Sequence, residues 1–470
     1  MIRIVSGWDP SGLAGMAADL RVAHGLDVQA ESIISCITDQ NAQRNNGIRN
    51  LDMPIAEHLR LLDEILPGRI LKTGLLPRSQ DWQAIADWVE KSGATWICDP
   101  VFSSSLGGTL WPTSTRESLL PLFPAMGLFT PNLDEASQLL GRTLPNDAAC
   151  IEAAQTFLQW GCRAVLLKGG HRKGRARDLY MDANCTYWLD SPRLQGSFRA
   201  TGCMLATAIA CALSWDWPML EAVVFAKTCL NQQLHEASQN RSQALGLASQ
   251  PDIKGCIPDL LDLNQSPSEP FPGCPKGLGF YPIVDSADWI KRLAALGLET
   301  VQLRVKNLPE PQLRAEIRRA VALSRQFNLQ LFINDYWQIA IEEGAFGVHL
   351  GQEDLQNADM TQIREAGLRL GLSTHCFWEV ARAKSYHPTY LAIGPIYETQ
   401  LKKMAFGPQG LSKLRQWRQL LSGPLVAIGG ISLERAPDVL ACGVGCIAVV
   451  SAITAQSDPE SAFQNWQRLF

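Results

Sequence analysis

A chain of 470 residues with 46% hydrophobic composition is long enough for two or more cores. Its formal net charge of −4 gives no electrostatic reason to expect nucleic acid as the main partner. The opening MIRIVSGWDPSG lacks the apolar run of a secretion signal, and no segment approaches the roughly 18 apolar residues of a membrane span. The expectation is a cytoplasmic protein without membrane partners. Thirteen irregularly spaced cysteines argue against a disulfide scaffold.

In the first half, the apolar runs IRIV, SIISCI, TWIC, GLF and AVLLK predict strands, with helices over 14–24, 79–91, 148–160 and 202–213. Their uneven alternation fits a layered α/β domain over residues 1–261, a sheet with helices on both faces. The opening glycines have the wrong spacing for a dinucleotide fingerprint. In RATGCMLATA, Thr201, Gly202 and Cys203 stand at a predicted helix start, where backbone donors gather around an anion. Cys203 also suits a small buried helix position. Residues 262–277 include QSPSEPFPGCPKG, whose prolines and glycines predict an irregular linker.

From 278 to 470 the pattern becomes regular. Strands are expected at 280–284, 300–304, 330–334, 347–350, 370–374, 390–394, 425–429 and 446–450. Helical stretches lie between them, notably 311–327, 377–385 and 433–441. Eight βα units in this length predict a closed (β/α)8 TIM barrel, with polar residues after the strands forming its mouth. Gln302, Arg304 and Lys306 share one face of an extended segment, and the two cations suit phosphate oxygens. Asn334 and Asp335, then Gln352, Glu353 and Asp354, place carboxylates at neighbouring strand ends, a set suited to magnesium. His349 has apolar neighbours and reads as structural. Thr399, Lys402 and Lys403 lie in a polar, glycine-containing loop placed to close over phosphate. Gly429-Gly430 and Val450-Ser451-Ala452-Ile453 end the last two strands, where barrels often bind phosphate.

The motifs QLRVK, FINDY, HLGQEDL, GLSTH, GPIYETQLKK, VAIGGI and VVSAI, in that order across residues 279–455, resemble those of thiamine phosphate synthase. The resemblance implies joining of hydroxymethylpyrimidine pyrophosphate to hydroxyethylthiazole phosphate, with release of pyrophosphate. It assigns Asp335 and Asp354 to Mg2+, and Arg304, Lys306, Asn334 and Lys402 to the pyrophosphate. Ser373 follows the fifth strand and Thr399 sits in the loop. Gly430 and Ser451, Ala452 and Ile453 receive the thiazole phosphate. Where the family loop has a second threonine, this chain has Leu401, which removes a hydroxyl donor.

The segments SGWDPSGLAGMAADL, CITDQN, LKTGLL, WICDPVF, FTPNLDEA, VLLKGGH and RATGCMLATA resemble hydroxymethylpyrimidine phosphate kinase, of the ribokinase-like group, over most of residues 1–250. The resemblance implies that Asp19 and Gln40 recognise the pyrimidine. It places Asn132 and Glu135 near the nucleotide and its Mg2+, Lys168 on a loop beside ATP, and Thr201 and Gly202 at the anion turn. Cys203 then lies near the accepting hydroxyl or phosphate. Three positions depart from the family: Leu13 replaces a glycine, Leu75 a methionine and Ala200 a glycine. Kinase catalysis therefore stands beside a domain that only binds ligand or supports the synthase. A nonenzymatic scaffold and a sugar-phosphate isomerase-like barrel are further readings, and assembly into a homo-oligomer is compatible with the sequence.

Overall fold

The computed structural model describes every residue except 41–44, 52–53, 103–114, 171–173, 241, 243–244, 246–248, 264, 266–268 and 400–406, together with the side chains of 40, 45–46 and 115–116. The chain divides into two compact units, Met1–Gln265 and Ser266–Phe470. No helix among the described residues is long and apolar enough to cross a membrane.

The first unit is built on one ten-stranded sheet. Its strands are β1 (Ile2–Trp8), β2 (Ala30–Gln40), β3 (Asn45–Asn50), β4 (Ile70–Thr73), β5 (Thr95–Cys98), β6 (Met126–Phe129), β7 (Ala164–Leu167), β8 (Ala176–Asp182), β9 (Thr186–Ser191) and β10 (Asp259–Asp262). They lie in the order β10-β9-β8-β7-β6-β5-β4-β1-β2-β3. The run from β2 to β7 is parallel. Both ends are antiparallel, through β3 and β8 to β10. The central strands β4, β6 and β7 are buried throughout, as expected of strands covered on both faces. The layered α/β architecture expected from the sequence is the one observed. β10 lies at one edge of the sheet and β3 at the other, so the chain leaves the sheet from an edge as it enters the proline-rich segment.

The second unit closes eight parallel strands into a barrel: β11 (Gly279–Val284), β12 (Thr300–Leu303), β13 (Gln330–Asn334), β14 (Gly347–Leu350), β15 (Arg369–Thr374), β16 (Tyr390–Ile393), β17 (Leu425–Ile428) and β18 (Cys446–Val449). Pairing of β11 with β18 completes the ring, confirming the predicted barrel. Alternate residues form the interior cluster: Tyr281 and Ile283, Tyr390 and Ala392, Cys446 and Ala448, with Phe332 between them. This is the two-residue strand period filling a barrel with side chains.

Candidate active site

The carboxyl ends of the barrel strands open on a cavity of about 1580 Å3. Gln302, Arg304 and Lys306 all line it, although β12 itself stops at Leu303. The Arg304 amide donates to Val284 O at 2.8 Å, which carries the extended course past the end of the ladder. Asn334 ends β13, and Asp335 follows with φ 69°, the left-handed region that Asp tolerates better than most residues. Its backbone N–H donates to His349 O at 3.0 Å. Its carboxylate accepts from Lys306 Nζ at 2.6 Å.

Asp354 faces the same cavity and accepts from the Gly351 amide at 2.9 Å. Burial raises its proton affinity, the Gly351 amide opposes this, and the adjoining Asp335 carboxylate raises it further. Two carboxylates are thus held together beside Arg304 and Lys306. Ser373 and Thr399 line the cavity as well. Lys402, Lys403 and Leu401 lie outside the described residues.

The opposite side of the mouth is made by backbone. Gly429 and Gly430 have φ 100° and 63°. A side chain on Gly430 would start 2.4 Å from Glu398 O, so the close approach of the 394–399 segment requires glycine there. Gly430, Ser451 and Ala452 line the cavity, and the amides of Gly430, Ile431, Ser451 and Ala452 have no acceptor among the described residues. Ile453 takes a different place. Its side chain is buried and its amide is bonded to Val450 O at 3.1 Å, so it supports the turn from below.

Part of the cavity wall is a buried polar chain that the sequence alone does not reveal. Gln302 Nε2 lies 3.3 Å from the Tyr281 hydroxyl, which lies 2.9 Å from that of Tyr390. His349 joins Tyr390 through Nδ1 at 2.9 Å and Ser373 through Nε2 at 2.8 Å. The histidine read as structural therefore has two hydroxyl partners, both brought in from other strands. Burial pushes its pKa down to about 4, so the ring is neutral at physiological pH. A histidine whose folded pKa lies below its ordinary 6.5 contributes stability that is fully present above that value and is lost as pH falls toward 4. We expect the barrel unit to lose roughly 3 kcal/mol from this group over that window. Denaturation of wild type and His349→Asn at stepped pH should show the stability gap narrowing on acidification.

In the first unit, the helix Thr201–Leu213 begins at Ala200, whose φ of 60° and ψ of 19° are left-handed. The alanine adopts the turn that glycine would favour, at a strain of about 1–2 kcal/mol. Glycine has more freedom to lose on folding, so Ala200→Gly should raise the unit's stability by a net ~0.5–1 kcal/mol, read as a shift in denaturation midpoint. Lys168 crowds the turn, with Nζ 3.0 Å from where a Gly202 side chain would begin. Its Nζ donates to Asp99 at 2.6 Å. Against burial, Asp99 and Glu135 hold Lys168 above its ordinary pKa. Burial pushes Glu135 up to about 7, with Lys168 opposing and Asp99 adding to the rise.

Asn132 and Glu135 also cap the helix Leu133–Leu140 reciprocally: Glu135 N donates to Asn132 Oδ1 at 2.8 Å and Asn132 N to Glu135 Oε2 at 2.7 Å. Cys203 lies at the turn, and burial pushes its thiol up to about 11, so it is not a thiolate at neutral pH. Asp19 sits differently from the ligand-facing position the resemblance implied. It is fully buried, and both its oxygens accept from Lys72 Nζ, at 2.8 and 2.7 Å. Gln40 ends β2, and its side chain is outside the described set.

Comparison with known proteins accounts for both units. A thiamine monophosphate synthase family model matches residues 280–453, and a phosphomethylpyrimidine kinase family model matches residues 9–247, half of the chain. The thiamine-phosphate synthase of Photorhabdus laumondii subsp. laumondii is 54% identical over 199 residues, covering 42% of this chain and 91% of that protein. The chain belongs to both families. The thiamine-phosphate synthase of Serratia proteamaculans is likewise 54% identical over 194 residues, 41% of this chain and 92% of that protein. Among solved structures, a phosphomethylpyrimidine kinase from Clostridium difficile 630 is 27% identical, covers 49% of this chain and 99% of its own, and gives a TM-score of 0.44.

Among the described residues, no group of three or more His, Cys, Asp or Glu side chains gathers to hold a metal. The synthase unit offers two carboxylates, Asp335 and Asp354. Magnesium commonly takes one or two carboxylates and completes its shell with substrate phosphates and water. The mutual repulsion that helps raise Asp354 is what a bound cation would relieve. The donor set fits.

Proposed function

We propose that the synthase unit joins hydroxymethylpyrimidine pyrophosphate to hydroxyethylthiazole phosphate, giving thiamine phosphate and pyrophosphate. The observation that carries this reading is one cavity with cations and paired carboxylates on one side and, on the other, amides that have no acceptor among the described residues. Arg304 and Lys306 bind the departing pyrophosphate and stabilise the charge that develops on it. Asn334 and Thr399 add polar contacts there, and Lys402 is assigned to the same group. Asp335 and Asp354 hold Mg2+, which when bound neutralises pyrophosphate charge. The amides at Gly430, Ser451 and Ala452 hold the thiazole phosphate and so aim the thiazole nitrogen at the methylene carbon that the pyrophosphate leaves. The walls exclude water, which would otherwise capture that carbon.

The kinase-family unit is assigned ATP-dependent phosphorylation of hydroxymethylpyrimidine phosphate, which yields the pyrophosphate that the synthase consumes. The Ala200–Cys203 turn receives the transferred phosphate, while Lys168, Asn132 and Glu135 face the nucleotide and its Mg2+. With its thiol at about 11, Cys203 is a neutral contact to the acceptor. The reaction then relies on positioning and electrostatics. The decisive test mixes purified full-length chain with each substrate set and Mg2+. Thiamine phosphate formed from the pyrimidine pyrophosphate and thiazole phosphate supports the synthase; its absence rejects that assignment. ADP and pyrimidine pyrophosphate formed from the monophosphate and ATP support the kinase. Synthase activity without that second reaction favours a unit that binds ligand or supports the barrel.

A further inference from the structure

The glycine turn that builds the phosphate cradle is held from outside the cavity by a side chain to which neither reaction has given a role. Arg435 precedes the helix Ala436–Leu440 and is exposed. Its Nη1 donates to Gly430 O at 2.8 Å, and its guanidinium carbon lies 4.6 Å from the centre of the Tyr397 ring. Tyr397 belongs to the segment laid across the turn: its amide donates to Gly429 O at 3.0 Å, and that of Ile396 to Ile428 O at 2.9 Å. One guanidinium thus joins the turn after β17 to the segment after β16 that carries Thr399.

The physical need for such a clamp follows from the glycines. Gly430 must lack a side chain to pass beneath Glu398, but two successive glycines also leave the peptide planes around them free to rotate. In a trans peptide the carbonyl of one residue and the N–H of the next point in opposite directions. Turning Gly430 O toward Arg435, which does not line the cavity, therefore sends the Ile431 N–H the other way. Ile431 does line the cavity. If the plane flipped, a carbonyl oxygen would face the anion in place of a donor.

We propose that Arg435 is a positioning residue for the phosphate cradle: it selects the peptide orientation in which Ile431 N–H faces the substrate phosphate, and its stack on Tyr397 keeps the neighbouring segment in place. This rests on the synthase reading above. Guanidinium is suited to the double task, because its plane stacks on an aromatic face while its edge donates.

The test uses the full chain and two readouts. Binding of inorganic phosphate, followed by calorimetry, reports the cradle without catalysis; steady-state kinetics report its use. Arg435→Ala should weaken phosphate binding and raise KM for the thiazole phosphate about tenfold each, leaving KM for the pyrimidine pyrophosphate and kcat at saturation little changed. Arg435→Lys, which keeps a donor but loses the planar stack, should recover part of the phosphate affinity. Tyr397→Ala should weaken phosphate binding in the same direction, and combining it with Arg435→Ala should add little more. Wild-type binding with an unaltered Arg435→Ala variant overturns the positioning role while leaving the synthase reading intact. A uniform fall in kcat, in both substrate affinities and in melting temperature overturns it too, since it would mark a general structural contact. A wild-type chain that makes thiamine phosphate yet does not bind phosphate at this turn removes the cradle, and Arg435's role with it.

Discussion

Asp335→Asn is expected to lower synthase kcat/KM by about 10²–10³-fold, the usual scale for removing a preorganised electrostatic group at a charge-developing centre. The substitution isolates charge from shape. Asparagine tolerates the left-handed backbone that Asp335 adopts at φ 69°, and it preserves side-chain size and an amide oxygen. The Lys306 ammonium is about half-exposed, so losing its 2.6 Å partner should change stability by less than about 1 kcal/mol. A melting curve close to wild type, together with the kinetic loss, separates chemistry from folding. The loss should fall on pyrophosphate departure, and raising Mg2+ should recover part of it, because weakened metal affinity is one of its components. Unchanged activity would reject the assignment of Asp335 to the metal.

Much of the barrel was legible because its strands are short, apolar and regularly spaced. The expected 330–334 and 347–350 coincide with β13 and β14, and the other six strands differ by one residue at an end. The mouth was legible for the same reason: a residue type directly after a strand already has a place once the barrel is assumed. Ring partners across the barrel were not. His349 looked isolated because Tyr390 and Ser373 are far from it in sequence, and only closure of the sheet brings their hydroxyls to its nitrogens. In the first unit, β4 is not legible in the sequence because it contains Lys72, and a lysine in a four-residue run reads as exposed. β8 to β10 are hidden in the sequence because their apolar residues are interrupted by Arg177, Asp178, Asp190 and Asp259. Several of those charges are neutralised by partners distant in sequence, as Lys227 does for Asp178 at 2.6 Å.

Lys72→Met is expected to destabilise the kinase-family unit by about 3–5 kcal/mol, the range for removing one partner of a buried ion pair. Lys72 on β4 and Asp19 on the helix Gly15–Gly25 are both 0% exposed. Thr207, on the helix that begins at the anion turn, donates to the same carboxylate at 2.8 Å. The pair thereby joins a central strand to the two helices behind the proposed phosphate turn. Without the ammonium, Asp19 keeps one hydroxyl and a burial that already raises its pKa. A carboxyl whose folded pKa exceeds its unfolded value prefers the protonated fold, so its cost is absent below the unfolded pKa and grows as pH rises above it. The Lys72→Met deficit should therefore be smaller at pH 5 than at pH 8. Hydrogen exchange on the full chain would locate the loss in residues 1–265 and leave barrel amides protected. The double variant Lys72→Met/Asp19→Leu should regain much of the stability, because apolar replacement of a buried pair is often neutral or better. If Lys72→Met were as stable as wild type at pH 8, Asp19 would have another route to neutrality. Its direct recognition of the pyrimidine would then need reconsidering, because the ion pair that occupies both its oxygens is what argues against that contact.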